Sequence, residues 1–483
     1  MSSLKKNLGY QTIYQVLNTC LPLITSPYLA RTLGVIQQGV FSYTQSIVNY
    51  FALIAMLGVV NYGTRVIAEE KESFRNRSIQ FWNIYVLQFC LSLICISIYI
   101  IYAIFFCREN KIIVMLQIFY LLGALVDINW LFFGVEKFEI TVKRSLMIRI
   151  TSVVLILLLV KRPEDLWIYV VIMSGSTFFA NLVLWFFVPH IIDIYSIREI
   201  RMGSVLNHVK PNIILFVPLA AMSVYHIMDK TMLGALSTYE QSGFYYNADK
   251  IINIPIGIIT GVGTVMMPRT VVMILSGKQD SVNKLFNISI ELITVVAIAM
   301  SFGISAISKE FTPFFFGNGF EPCIRLIILL SPVLVIKGWS NVVRTQYLVP
   351  AHKENIFIQS VFIGAIVNFI VNICLIPKMG ATGAVIGTVI AELIACVWQF
   401  IRMYGQIGYL SSVIKAIIYV IFGLVMYIGV RFVSNYFLKG FIGIICEVIV
   451  GGIIYLLLCV LYWIFSRSPL WDIIKGAFKF KIK

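Results

Sequence analysis

The chain has 483 residues, of which 59% are hydrophobic and only 12% charged, with a mean hydropathy of +0.91. Those proportions exclude an ordinary soluble domain, in which about a quarter of residues are charged. The net charge of +16 could suggest nucleic acid, but the basic residues are distributed loop by loop through an apolar chain, which points to membrane topology instead.

A helix needs about 20 apolar residues to cross roughly 30 Å of hydrocarbon. Fourteen such runs are predicted as spans, over 8–31, 38–62, 79–106, 112–134, 143–160, 166–188, 211–236, 244–268, 285–308, 323–348, 355–376, 381–403, 412–433 and 441–465. They lack sustained period-2 alternation and most are about twice the length of a barrel strand, so the expected fold is an all-α membrane bundle. Lys5 and Lys6 precede the first run, but no cleavage-site pattern follows it, and it reads as a retained helix.

With the N-terminus inside, 24 Lys and Arg fall on cytoplasmic segments and 11 on external ones, leaving Arg149, Lys250 and Lys337 within spans. This asymmetry predicts that both termini are cytoplasmic. Arg65, Lys71, Arg75 and Arg77, and the tail residues Lys475, Lys479, Lys481 and Lys483, are expected at anionic headgroups.

Around spans one and two, and again around spans seven and eight, the sequence repeats faintly at an offset of 204 residues. Gly39, Ile47, Asn49, Ile54 and Arg65 match Gly243, Ile251, Asn253, Ile258 and Arg269. Six helices separate the copies, so both halves face the same way, as in rocking transporters with parallel repeats; the competing explanation is the general similarity of membrane helices. The division this implies is 1–200 and 201–405 as two six-helix bundles and 406–483 as an appended helix pair with a basic tail.

The polar connection from Pro189 to Lys210 is expected to form a short amphipathic helix. Pro22, Pro27 and Pro218 are expected to permit bends, and Gly257 with Gly261 and Gly383 with Gly387 to pack helices closely.

A charge at the bilayer centre costs at least about 2.5 kcal/mol, so intramembrane ionisable residues are functional candidates. Lys337 lies mid-span in the polar stretch Lys337, Gly338, Trp339, Ser340, Asn341, which suits a wet cavity or a buried structural pairing. As a cavity charge it would contribute little to stability. Arg149 either snorkels to headgroups or faces a cavity, and Arg31, Lys230 and Lys250 sit toward outer span ends. The acidic candidates are Asp127, Asp229, Asp249, Glu291, Glu392 and Glu447. Asp229 and Glu392 are the ion-coupling candidates, although Asp229 could simply neutralise Lys230, and Glu392 could pair with a lysine across the bundle.

The nine cysteines and four histidines show no metal-ligand spacing, and no Walker-type phosphate loop is present, which argues against ATP hydrolysis.

Several stretches are similar to the polysaccharide repeat-unit flippases, the Wzx type within the multidrug/oligosaccharidyl-lipid/polysaccharide exporter superfamily. They are Pro22 to Thr25, Pro27, Tyr28, Arg31, Leu33 and Gly34; Asp229, Lys230, Leu233 and Gly234; Gly243, Tyr245, Tyr246, Lys250 and Ile251; and Met267, Pro268 and Arg269. Later come Gln346, Tyr347, Leu348, Pro350, then Asn372, Ile376, Pro377, Gly380, Gly383, Ala384, Gly387, Thr388, Ala391 and Glu392.

The resemblance implies two bundles around a cationic cavity, a helix pair that holds a lipid tail, and an undecaprenyl-pyrophosphate-linked oligosaccharide as substrate. A diphosphate would suit Arg31, Arg149, Lys250 and Lys337, and a sugar chain would suit Gln45, Asn49, Asn253, Tyr245, Tyr246 and Trp339. The protein is expected to be no enzyme, to bind no metal or nucleic acid and to need no cofactor, with a coupling proton or sodium ion left open. Membrane lipids, a polymerase and other polysaccharide-assembly proteins are the expected partners, in the bacterial cytoplasmic membrane. A peptidoglycan-precursor flippase, a cation-coupled multidrug exporter and a membrane glycosyltransferase or polymerase are the alternatives.

Overall fold

The computed structural model describes the backbone from Ser2 to Ser466, apart from Arg108, Asn435 and 437–439, and again at Leu470, Trp471 and Lys475. Side chains are described from Leu21 onward, except Pro22, Val262, Thr264, Val265 and Arg269, so the tail lysine Lys483 and the side chain of Arg269 lie outside the described residues. All the regular structure among these residues is helical, in two compact units, Met1–Gly243 and Phe244–Lys483.

In the first unit, α1 (Ser2–Met56) carries the first predicted span and most of the second. Its one internal break is Gly34, at φ 73° and ψ 177°, a conformation that costs glycine little. The expected loop between the two spans is therefore a single residue. Leu57 and Gly58, at φ 37° and 74°, end α1 and begin α2 (Val59–Glu69). Next come α3 (Phe74–Ile101), α4 (Lys111–Leu116), α5 (Ile118–Leu125), α6 (Asn129–Gly134), α7 (Phe138–Leu159) and α8 (Leu166–Leu184).

The fourth predicted span is thus three short helices. Its break before α6 frees backbone carbonyls that have no water to turn to inside a bilayer. Gln88 of α3 donates to Ala124 O and Asp127 O, both at 2.8 Å, and accepts from Trp130 Nε1 at 3.1 Å. Trp130 is fully buried beside Phe81, Phe132 and Ile67. Small residues let the helices close here: a Cβ on Gly63 would lie 2.6 Å from the Trp130 ring, and one on Gly134 2.6 Å from Ile67.

The connection from Pro189 to Lys210 departs from the single helix expected. It forms 3-10 turns at Trp185–His190 and Ile194–Glu199, then α9 (Met202–Asn207). Pro189 lies in the first turn, and Asp193 caps the second by accepting from Tyr195 N. The segment is pinned by Arg77, which donates to Ile191 O. It leads to α10 (Val209–Leu236), a continuous helix through Pro218, and the unit closes on the first turn of α11 (Tyr239–Leu275).

That first turn crosses α1 at contact too close for any side chain. A Cβ on Gly39 would meet Tyr239 O at 1.7 Å, and one on Gly243 would meet Val35 O at 2.1 Å. Val35 and Tyr239 are themselves 204 residues apart, so the contact is reciprocal under the sequence repeat. The two copies differ elsewhere, because α11 runs unbroken where the first copy breaks at Leu57 and Gly58.

The second unit comprises the rest of α11, then α12 (Gln279–Phe316), α13 (Pro322–Leu330), α14 (Val333–Val343), α15 (Glu354–Met379), α16 (Ala381–Met403), α17 (Leu410–Val433) and α18 (Phe441–Ser466). Its axis is α12, which packs on α13, α14, α17 and α18. At about 1.5 Å per residue its 38 residues extend about 57 Å, further than the hydrocarbon is thick.

The appended pair is tied to α12 by polar contacts, the interactions that matter where lipid is as apolar as the helix surface. Glu291 accepts from Tyr419 Oη at 2.7 Å, Trp463 Nε1 donates to the same phenol at 2.9 Å, and Arg431 pairs with Glu310 at 2.8 Å. Between α15 and α16 the expected small-residue packing is present, since a Cβ on Gly383 or Gly387 would strike Leu375 or Asn372. Gly257 and Gly261 have nothing within 4 Å of such an atom.

Among the described residues, 12 segments are long and apolar enough to cross a membrane. The difference from fourteen has two causes. The first two predicted spans count as one continuous segment, Leu23–Glu69, and α7 fails because Lys143, Arg144 and Arg149 interrupt its apolar run. Fully lipid-compatible faces confirm the environment: Phe105, Met147, Phe186 and Phe465 are each at least 70% exposed.

Candidate functional site

In the first unit the inner face of α7 turns toward α1, α6 and α8 and encloses a cavity of about 830 Å³. Its polar end is a cluster drawn from four segments. Arg144 of α7, only 9% exposed, donates to Asn181 Oδ1 at 3.2 Å, Asn129 Oδ1 at 3.0 Å and Ser145 Oγ at 2.9 Å, and also to Ala180 O. Asn129 passes the network on, donating to Asp127 Oδ1 from its side chain at 2.7 Å and from its backbone at 2.9 Å. The guanidinium is thus held by neutral oxygens, with the Asp127 carboxylate one residue further along the network. Four of the five guanidinium N–H donors are engaged in these bonds, which fixes the orientation of the planar fork.

Five residues, rather more than one turn, beyond Arg144 on α7 lies Arg149, which also lines the cavity and is exposed. Thr25, Thr141, Ser152, Ser176 and Thr177 supply hydroxyls on the surrounding walls. The arrangement offers positive charge and many hydrogen-bonding groups around a space of about 830 Å³. Arg144 is not among the residues the sequence singles out; the polar residues on the two neighbouring spans, Asn129 and Asn181, are the signal that could have placed it.

The other expected residues of this unit lie apart from that cavity. Arg31 is exposed on α1, three residues before the Gly34 break. Asn49 accepts from Gln45 Nε2 at 3.1 Å on the same helix. Asp229 is 4% exposed in α10, two residues from Thr231, which donates to Ser46 Oγ at 2.8 Å.

In the second unit the two central charges meet. Lys337 Nζ of α14 lies 3.0 Å from Glu392 Oε1 of α16, with side chains 18% and 10% exposed. Of the two roles open to Lys337 in the sequence, the buried pairing is therefore present. Two residues on, Trp339 donates to Thr294 Oγ1 at 2.8 Å and sets its ring edge-on to Phe400 at 6.0 Å. On α11, Lys250 stands over the Tyr246 ring at 4.8 Å and Asn253 donates to Asp249 Oδ1 at 2.9 Å. Tyr245 bonds Thr388 of α16 at 3.1 Å. Among the described residues no cluster of His, Cys, Asp or Glu could hold a metal ion.

The sequence profile described as polysaccharide biosynthesis protein matches residues 4–273. A proposed O-antigen transporter of Shigella dysenteriae is 25% identical over 404 residues, covering 81% of this chain and 98% of its own. A second protein of that description, from Escherichia coli K12, is 24% identical over 74% of this chain and 86% of its own length. The lipid II flippase MurJ of Bacillus subtilis is 24% identical over 48% of this chain. Among solved structures, a lipid II flippase MurJ in an inward closed conformation superposes with a TM-score of 0.75 at 14% identity, covering 95% of this chain and 99% of that one. A multidrug resistance MATE transporter in an inward-facing conformation reaches 0.56 over 81% of this chain and 94% of its own.

Proposed function

We propose that this chain, which belongs to the polysaccharide biosynthesis protein family, is a Wzx-type flippase that moves an undecaprenyl-pyrophosphate-linked oligosaccharide repeat unit across the bacterial cytoplasmic membrane. The observation that carries this reading is the 830 Å³ cavity of the first unit, where Arg149 and Arg144 accompany a wall of hydroxyls and amides inside an apolar bundle. Guanidinium groups match a diphosphate, and the hydroxyls and amides match a sugar chain. The lipid tail needs no site of its own, because the protein's outer surface is as apolar as the bilayer.

Transport proceeds by alternating access, with both termini cytoplasmic, the orientation that the basic loops favour. The protein forms and breaks no bond, so its work is transport and not catalysis. Lys337 and Glu392 act together, an incoming phosphate competing with Glu392 for the ammonium, and Glu392 is the first candidate for coupling to an ion. Asp229 is the second candidate for coupling to a proton or sodium ion. Arg31, Lys250, Asn49, Asn253 and Trp339 contact cargo along its path. A polymerase and other polysaccharide-assembly proteins receive the product.

The test is made in cells dependent on this chain for surface polysaccharide. Arg149→Glu protein, present in the membrane at normal abundance, is expected to leave the lipid-linked oligosaccharide on the cytoplasmic side. Normal surface polysaccharide with that variant refutes the cavity's role.

A further inference from the structure

The outer flank of α7 carries a second cavity, of about 730 Å³. Three of its ten lining residues are basic, Lys137, Lys143 and Arg144. Lys71 bridges to Glu136 at 2.9 Å, which places the loop after α2 beside the loop before α7, and Arg75 reaches Glu199 at 3.0 Å across the same end. The floor of the cleft is apolar, formed by Ile140, Met147, Val183 and Phe187, with Met147 70% and Phe187 39% exposed. The rim is charged: Lys137, Lys143 and Arg144, with Glu136 and Glu139.

The carboxylates of that rim are already engaged. Glu139 takes Lys143 at 2.6 Å and Glu136 takes Lys71 at 2.9 Å. Lys137 is exposed, and among the described residues no carboxylate lies within ion-pair distance of it. An apolar trough ending in the exposed Lys137 ammonium, with the exposed Lys143 beside it, has the shape and charge of a lipid seat, acyl chain below and phosphate above. Because neither carboxylate is free for a second cation, the rim favours a headgroup with net negative charge over a choline or ethanolamine headgroup.

We propose that this cleft binds one anionic phospholipid, its phosphate on Lys137 with Lys143 beside it and an acyl chain along Met147 and Phe187. Arg144 and Ile148 line both this cleft and the 830 Å³ cavity on the other side of α7. The bound lipid therefore steadies the wall that holds Arg144 in its network with Asn129 and Asn181. This site depends only on the membrane setting and stands apart from the identity of the transported cargo.

The test is native mass spectrometry of the full chain in detergent, titrated with phosphatidylglycerol or phosphatidylcholine. One phosphatidylglycerol is expected to stay bound at collision energies that strip phosphatidylcholine. The double variant Lys137→Gln with Lys143→Gln should weaken phosphatidylglycerol about tenfold and leave phosphatidylcholine unchanged. Met147→Trp, which fills the trough from an exposed position, should exclude the lipid while keeping the melting temperature of the lipid-free protein. Equal retention of the two lipids, or unchanged phosphatidylglycerol affinity in the double variant, would overturn the site. Displacement of phosphatidylglycerol by an equimolar polyprenyl-diphosphate oligosaccharide would overturn the assignment to a resident phospholipid and give the cleft to the cargo.

Discussion

Lys337 shows how pairing changes what a buried charge does. The expectation that one cavity charge matters little to stability is framed for an unpaired lysine, whereas the Lys337 ammonium is 3.0 Å from a carboxylate that is itself 10% exposed. Removing one partner of such a pair leaves an uncompensated charge and costs about 3–5 kcal/mol. Lys337→Ala should therefore lower the yield of monodisperse protein and its melting temperature. The swap of Lys337→Glu with Glu392→Lys should recover most of the loss, and a swap no better than the single variants would remove the pair from the account. Both residues stood out in the sequence because charge is rare in apolar spans, and a pairing was open for each; that they pair with one another is decided only in three dimensions, where α14 meets α16. Arg144 was harder to see. It sits beside Lys143 at a span end, where a solvated cation is ordinary, and its bonds to Asn129 and Asn181 on two other helices appear only in the fold. Arg144→Ala is expected to destabilise the first unit more than Lys143→Ala, whose side chain is 60% exposed in a surface pair, and thermal unfolding of the two variants checks the order.

The helices were legible as apolar runs, and their interruptions were not. Prolines drew attention in α1 and α10, yet the break in α1 falls at Gly34 and α10 continues through Pro218. A proline's missing donor can be absorbed inside a packed bundle, whereas a positive φ cannot be read from composition. Gly39 and Gly243 were legible through the repeat, and the crossing explains them. Gly39→Ala and Gly243→Ala each place a methyl within about 2 Å of a carbonyl oxygen and should lower the melting temperature or block insertion. Gly257→Ala, with open space around it, is the control and should behave as wild type. At the C-terminal pair, Tyr419→Phe takes a donor from Glu291 and an acceptor from Trp463. The buried Trp463 N–H, left without that acceptor, costs about 1–3 kcal/mol, so limited proteolysis should release α18 earlier in that variant than in the parent.

Composition and charge settled the class of the whole molecule, because no soluble core can be built from a chain so poor in charge. The order of short motifs from Pro22 to Glu392 carried the family. The cavity inside the first unit was not legible, since its lining comes from helices far apart in sequence and only Arg149 among its residues was a candidate binding residue beforehand. The central claim is transport of a lipid-linked diphosphate sugar, and reconstitution tests it most directly. The purified full chain in liposomes carrying a fluorescent polyprenyl-diphosphate oligosaccharide is followed by quenching with an impermeant reductant. The account predicts that wild-type protein exposes lipid from the inner leaflet beyond protein-free liposomes, that Arg149→Glu abolishes the gain, and that a cationic dye is not moved. Dye movement without translocation of the lipid-linked sugar would contradict the account and make the chain a drug exporter.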